Sequence, residues 1–284
     1  MAFGKRLLRN SKNSIKTKLD SLNLRPRKSR GQNFLSDPGI LERIVNFSEP
    51  QFGSKIVEIG PGLGALTAYL AKLTEDLTVI ELQSEFCDEL NRSFAKIKII
   101  NQDILSVDFS TLGDNLIVYG NIPYNISTDI IFHLIRYSKV ISRATLVLQR
   151  EFARRLCAKP NTKEYGSISV ALQLRANLKL GFEIQGGAFT PPANVDSALL
   201  RIDFYKKLPY PIEDQRLFER IVRASFSHRR KKLANSLKYS GMVEPALVEP
   251  ALKLAGVDGT LRAETLDLAD FYKLYRGFSD VFKE

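Results

Sequence analysis

With 284 residues and 44% apolar content, the chain can build one large domain plus a smaller one. No apolar run approaches the ~18 residues that a membrane span requires, so none is expected. Two cysteines, two histidines and no CxxC pair argue against a disulfide scaffold and against a structural zinc site, and no metal is expected.

The net charge of +11 is unevenly spread. Residues 1–30 hold ten Lys/Arg against one acid, which leaves a net of +2 on the other 254. A second basic run, residues 223–238, has six Lys/Arg and no acid. It offers Arg223, Arg229, Arg230, Lys231 and Lys232 as candidate RNA phosphate contacts. Residues 1–30 read as a basic arm that faces nucleic acid. Their Ser, Lys and Arg content also fits an organelle targeting segment, so a cytoplasmic location is the expectation with that reservation attached.

After the arm, Asp37-Pro38 caps and starts a helix running to about Val45. Strands are expected at 55–60, 77–82, 96–100, 115–120, 144–149, 178–184 and 197–204. Helices are expected at 65–73, 84–94, 127–137, 150–157 and 167–176. This alternation implies a mostly parallel, seven-stranded sheet with helices on both faces. The last two strands follow one another through a Pro-rich loop and imply an antiparallel edge. Past the linker 205–214 the pattern is helical only, near 213–226, 230–238, 246–254 and 266–276. The expected organisation is an arm (1–30), an α/β domain of Rossmann-like type (31–206) and a small all-helical RNA-binding domain (207–284).

"EIGPGLGALT" (58–67) places Gly60, Gly62 and Gly64 between a strand and a helix, where a backbone can closely approach a ligand. The spacing departs from the G-x-G-x-x-G of dinucleotide sites, which disfavours a dehydrogenase. Glu81 ends the second strand, where a carboxylate can accept from a ribose diol. Asp103, just past the third, can accept from an adenine amino group, and Ile104 can pack on the ring. Three successive strand ends therefore read as an adenosine pocket, in the order found in S-adenosylmethionine enzymes.

"GQNFL", "VEIGPGLGALT", "VIEL", "NQDIL", "GNIPYNIST" and "FTPPANVDSALLRI" follow one another in a way that resembles the rRNA adenine N6-dimethyltransferases of the KsgA/Erm family, closest to the KsgA/RsmA type. The resemblance runs from about Lys28 to the C-terminal helices. It implies a Rossmann-like S-adenosylmethionine-dependent methyltransferase fold, with cofactor contacts at Asn33, Leu35, Gly60, Glu81, Asp103 and Asn121. Gln32 is expected to shape the same wall, and Gly62 belongs to the same loop. One departure is Gln83, where the family more often has Asp, so the N-cap of the following helix should be weaker. The resemblance also implies that Phe189 packs against the target base.

The motif "GNIPYNIST" (120–128) carries the chemistry. The N6 amine of adenine is a poor nucleophile because its lone pair is delocalised into the ring. Acceptors aimed at its two N–H bonds would pull it toward tetrahedral geometry. The Asn121 side-chain oxygen and the Pro123 carbonyl are the candidates, and Tyr124 offers a face for an extruded base. Ser127 or Asn125 is the expected cap of the next helix. His133, on an apolar face, reads as packed, and His228 as an RNA contact or a solvated residue.

The resemblance implies dimethylation of two adjacent adenosines in the 3′-terminal hairpin of 16S rRNA, late in small-subunit assembly, by a monomer acting on a pre-30S particle. An Erm-type enzyme acting on 23S rRNA shares "NIPYNIST" and is the nearest alternative. "VDSALLRI" and "ASFSHRRKKLANSL" lean toward the KsgA type. A non-catalytic rRNA-binding assembly or transcription factor on the same fold is disfavoured because the cofactor acids and Asn121 are all present.

Overall fold

The computed structural model describes residues 12–22 and 33–281, so Gln32 and most of the basic arm lie outside the described residues. The chain divides into two compact units. The first runs through Ala153 and resumes at Asn177–Lys206; the second takes Arg154–Ala176 and everything from Lys207 onward.

Among the described residues there are nine strands, all but the first residue of β7 in the first unit: β1 (Phe34–Leu35), β2 (Ile56–Ile59), β3 (Leu77–Glu81), β4 (Lys98–Asn101), β5 (Leu116–Asn121), β6 (Ile141–Gln149), β7 (Ala176–Ile184), β8 (Phe189–Thr190) and β9 (Ser197–Phe204). Seven form one sheet in the order β4-β3-β2-β5-β6-β9-β7. β2 pairs in parallel with β3 and β5, β3 with β4, and β5 with β6. Every residue of β2 and β3 is buried, as a strand covered on both faces requires. The chain crosses from β4 on one flank to β5 on the other side of β2. Loops leaving β2 and β5 therefore diverge and open a crevice at the strands' carboxyl ends.

The antiparallel edge expected of the last two strands is present, with an order that the sequence reading did not specify. β9 runs antiparallel to β6, but it is inserted between β6 and β7, and β7 is outermost. Burial explains the order. β9 is enclosed at seven of its eight positions, which demands a neighbour on each side, whereas most of β7 is partly or fully exposed and suits an edge.

The helices around this sheet are α1 (Lys12–Ser21), α2 (Pro38–Ser48), α3 (Thr67–Leu70), α4 (Ser84–Ser93), α5 (Ser127–Arg136) and α6 (Arg150–Leu156). Asp37 caps α2 through Ile40 N at 2.9 Å, with Pro38 in the first turn. The helix runs past Val45 because no breaker intervenes before Glu49, whose backbone turns left-handed (φ 51°). The sheet domain's core gathers Leu70, Val79, Leu90, Tyr119, Phe189 and Leu199. Two features escaped the sequence: α1, and a small antiparallel pair in which Phe34 faces Thr190 and Leu35 faces Phe189.

The second unit holds α7 (Ser167–Gln173), α8 (Gln215–Phe226), α9 (Leu233–Tyr239), α10 (Val248–Ala255) and α11 (Leu268–Val281). Residues 154–176, which the sequence reading assigned to the sheet domain, belong here for identifiable reasons. Tyr165 is 1% exposed and meets Phe226 edge-on at 5.9 Å. Arg175, almost fully enclosed, bonds Glu219 at 3.0 Å and Gln215 at 3.2 Å on α8. Removing Glu219 would leave the buried Arg175 charge uncompensated. Among the described residues no helix is long and apolar enough to cross a membrane.

Candidate active site

The crevice is a cavity of about 280 Å³. Asn33, Leu35, Gly60, Gly62, Glu81, Asp103, Ile104, Asn121 and Pro123 all line it, so residues scattered over 91 positions converge on one wall system. Gln32 lies outside the described residues.

The glycines serve two different ends. Gly60 adopts φ +65°, and a Cβ there would meet nothing within 4 Å, so its bare backbone faces open cavity. Gly62 adopts φ +55°, and a Cβ would come within 2.9 Å of the Phe34 ring. Only glycine tolerates both the conformation and the approach. A group with a flat, polar edge can therefore lie directly on the loop at Gly60.

Glu81 is positioned by backbone. Its Oε2 accepts from Gly62 N at 3.2 Å and its Oε1 from Gln83 N at 2.9 Å. A carboxylate has about four lone-pair sites, so capacity for a ribose diol remains. Because Gln83 contributes its N–H and no side-chain cap, α4 starts without one, as the departure from Asp implied. Asp103 uses Oδ1 to accept from Leu105 N at 2.9 Å, which turns the carboxylate at the cavity edge, with Ile104 beside it. Glu58, a cavity residue that the sequence reading passed over, is 2% exposed and accepts from Thr67 Oγ1 at 2.6 Å. Burial pushes its carboxyl up to about 8; the Thr67 bond opposes this and the Glu81 charge adds to it.

At the end of β5, Asn121 Nδ2 donates to Asn33 O at 2.8 Å. Only the amide nitrogen can donate to a carbonyl, so this bond fixes the rotamer and turns Oδ1 the other way as an acceptor. The Pro123 carbonyl accepts from Ser127 Oγ at 3.0 Å and Ile126 N at 3.3 Å. It is thereby aimed by the first turn of α5, and a substrate N–H would share or displace the serine. Ser127 is the first residue of α5 and not its cap; Ile126 occupies the cap position and offers no side-chain bond. Asn125 is exposed within the short 3₁₀ turn that precedes the helix. Tyr124 is half-buried, and its hydroxyl lies 2.8 Å from Ser197 Oγ on β9. Burial raises its pKa, so the phenol stays neutral. Ser127 and Ser197 were both present in the quoted motifs, but nothing in their spacing signalled these contacts.

One expectation needs correction. Phe189 is 0% exposed and sits in the sheet-domain core, not on the cavity wall. Its pairing with Leu35 turns both side chains inward, so it anchors the β1 strand beside Asn33. Tyr124 lies next to the cavity lining, between Pro123 and Asn125, which both belong to it. Arg229 donates to the carbonyls of Lys163 (2.6 Å) and Tyr165 (3.1 Å) and so braces the second unit, while its side chain stays 48% exposed. Arg223, Arg230, Lys231 and Lys232 are exposed, with the Lys231 ammonium 4.4 Å from the Tyr239 ring. His133 is packed, with Nε2 2.9 Å from Val107 O, and burial lowers its pKa. His228 Nδ1 lies 2.9 Å from Ser227 Oγ. Among the described residues no group of three or more His, Cys, Asp or Glu is placed to hold a metal.

The family model described as ribosomal RNA adenine dimethylase matches residues 23–280. The chain is 42% identical over 263 residues to the ribosomal RNA small subunit methyltransferase A of Pseudomonas fluorescens, covering 90% of this chain and 95% of that one. It is 38% identical over 252 residues to the protein of that name from Nitrosomonas europaea, covering 88% and 96%. Among solved structures, a dimethyladenosine transferase from Plasmodium falciparum shares the fold, with a TM-score of 0.73 at 23% identity over 87% of this chain and 98% of that one. The 23S rRNA methyltransferase ErmE superposes with a TM-score of 0.64 at 25% identity over 87% and 100%.

Proposed function

Because the chain belongs to the ribosomal RNA adenine dimethylase family, we propose that it methylates N6 of adenosine in small-subunit rRNA, giving N6,N6-dimethyladenosine. S-adenosylmethionine, held by the glycine loop, Glu81, Asp103 and Ile104, supplies a methyl group already activated on a sulfonium. The two adjacent adenosines of the 3′-terminal hairpin of 16S rRNA are the proposed targets, reached late in assembly on a pre-30S particle by a monomer in the cytoplasm.

The observation that carries this reading is the Asn121 amide. Its nitrogen is tied to Asn33 O, so its oxygen is left as an acceptor, and both Asn121 and Pro123 line the cavity. Two acceptors so placed can draw the N6 protons into one geometry and aim the nitrogen lone pair. Positioning of this kind can supply much of a barrier reduction, and no strong general base is required. The Tyr124 ring, steadied through Ser197, is the proposed stacking face for the extruded adenine. Exposed cations Arg230, Lys231 and Lys232 on the second unit are proposed to hold phosphates without reading sequence.

The test is transfer of labelled methyl groups to purified small subunits, large subunits and naked rRNAs, with the adenosines mapped by mass spectrometry. Dimethyladenosine in small-subunit rRNA is expected, and Asn121→Ala should lower turnover by roughly 10² while weakening cofactor binding far less. Labelling confined to large-subunit rRNA would show an enzyme of the ErmE kind and overturn the substrate assignment.

A further inference from the structure

Helix α1 lies within the segment that the sequence marks as a nucleic-acid arm, yet its inner face is turned to the cofactor cavity. Ile15 and Leu19, one helical turn apart, are 3% and 4% exposed. They share an apolar cluster with Leu63 of the glycine loop and Phe86 of α4, and Leu22 and Phe34 pack at its margin. Ile15, Lys18, Leu19 and Leu22 recur at i, i+3, i+4 and i+7, which places them on one face. Ile15 and Lys18 themselves line the cavity, together with Leu63, Glu81 and Phe86. Lys16 and Asp20 point to solvent.

Lys18 is fastened. Its Nζ lies 2.9 Å from Glu89 Oε1 on α4 and 3.5 Å from Leu63 O. A lysine on the wall of a site for a cationic ligand would repel it unless its charge were balanced, and Glu89 provides that balance. The family match begins at residue 23, so α1 precedes everything the family model covers.

We propose that α1 is a wall of the cofactor site, a cover that packs Ile15 and Lys18 over the bound S-adenosyl ligand and slows its escape. The proposal rests on the reading of the cavity as an S-adenosylmethionine site. Physically, the cover removes water from the Leu63–Phe86 side, so the ligand is enclosed by apolar contacts there and by polar contacts at Glu81 and Asp103. The outward face presents Lys16 and Asp20 to solvent.

The test uses the full chain with S-adenosylhomocysteine as the probe, by calorimetry for affinity and stopped-flow for dissociation. Ile15→Asp/Leu19→Asp should detach the helix and weaken binding about tenfold, chiefly through faster dissociation. Lys18→Glu should do the same by setting two carboxylates together, and adding Glu89→Lys should restore binding. Lys16→Gln, on the outer face, should leave both quantities unchanged. Wild-type affinity and dissociation in the first two variants, with only RNA affinity lowered, would overturn the cover and leave the helix an RNA arm. A full chain that bound no ligand would instead overturn the cofactor reading and the cover with it.

Discussion

Glu58 shows how a single side chain couples the cavity to stability. Its carboxyl is buried at the end of β2, with Thr67 Oγ1 as a 2.6 Å donor, and is held near 8 against an ordinary 4.5. The folded state therefore binds a proton that the unfolded chain gives up near 4.5. The stabilisation is complete below that value and is lost as pH rises through about 8. Between those limits the slope approaches ~1.4 kcal/mol per pH unit. Glu58→Gln keeps an acceptor for Thr67 but carries no titratable group. Urea unfolding of both proteins at pH 6 and pH 9 should show the wild type losing stability relative to the variant at the higher pH. A constant difference between them would show that Glu58 ionises normally.

The short β1–β8 pair links two segments 155 residues apart in sequence, Phe34–Leu35 and Phe189–Thr190. The pairing holds Leu35 and Phe189 in one core and leaves Asn33 at the strand's start, where its carbonyl receives the Asn121 amide. Phe189→Ala would open a cavity under this pair and should lower stability by about 3–5 kcal/mol, read from the denaturation midpoint. Phe189→Leu keeps most of the volume and should lose under about 1.5 kcal/mol. If the ring worked by stacking on the base, Phe189→Leu would instead abolish turnover with stability intact. The same logic of support from a distance applies to Ser127, which aims the Pro123 carbonyl, and to Ser197, which holds the Tyr124 hydroxyl.

Across the protein, charge is divided by task. Arg175 is spent inside the second unit on Glu219, and the exposed Arg229 is engaged by the carbonyls of Lys163 and Tyr165. Arg230, Lys231 and Lys232 stay exposed between α8 and α9. Converting these three to Gln should make the plot of log affinity against log salt shallower by about 2–3, since each phosphate contact contributes close to one unit of slope. Cofactor affinity should not change. An unaltered slope would move the RNA-binding surface elsewhere on the chain.

Much of this architecture could be read from local pattern. Strand-to-helix alternation, the glycine loop, and the acids at the ends of β3 and β4 depend on periodicity and on residues close in sequence, so they announced both the fold and the nucleotide pocket. The motif at 120–128 likewise displayed its acceptors and its aromatic ring. What local pattern could not supply were contacts between distant segments. The place of β9 inside the sheet follows from which strand needs two neighbours. The enclosure of Phe189 follows from its pairing with Leu35, and the duty of Arg229 from carbonyls 64 and 66 residues away. The orientation of the Asn121 amide depends on a carbonyl 88 residues earlier. The sequence reading saw only charge in the basic arm, and packing alone showed that Ile15, Leu19 and Leu22 share one face whose partners are Leu63 and Phe86, so that the helix faces the cofactor cavity. Spacing along a chain names the face that must be buried, and long-range contacts choose what buries it.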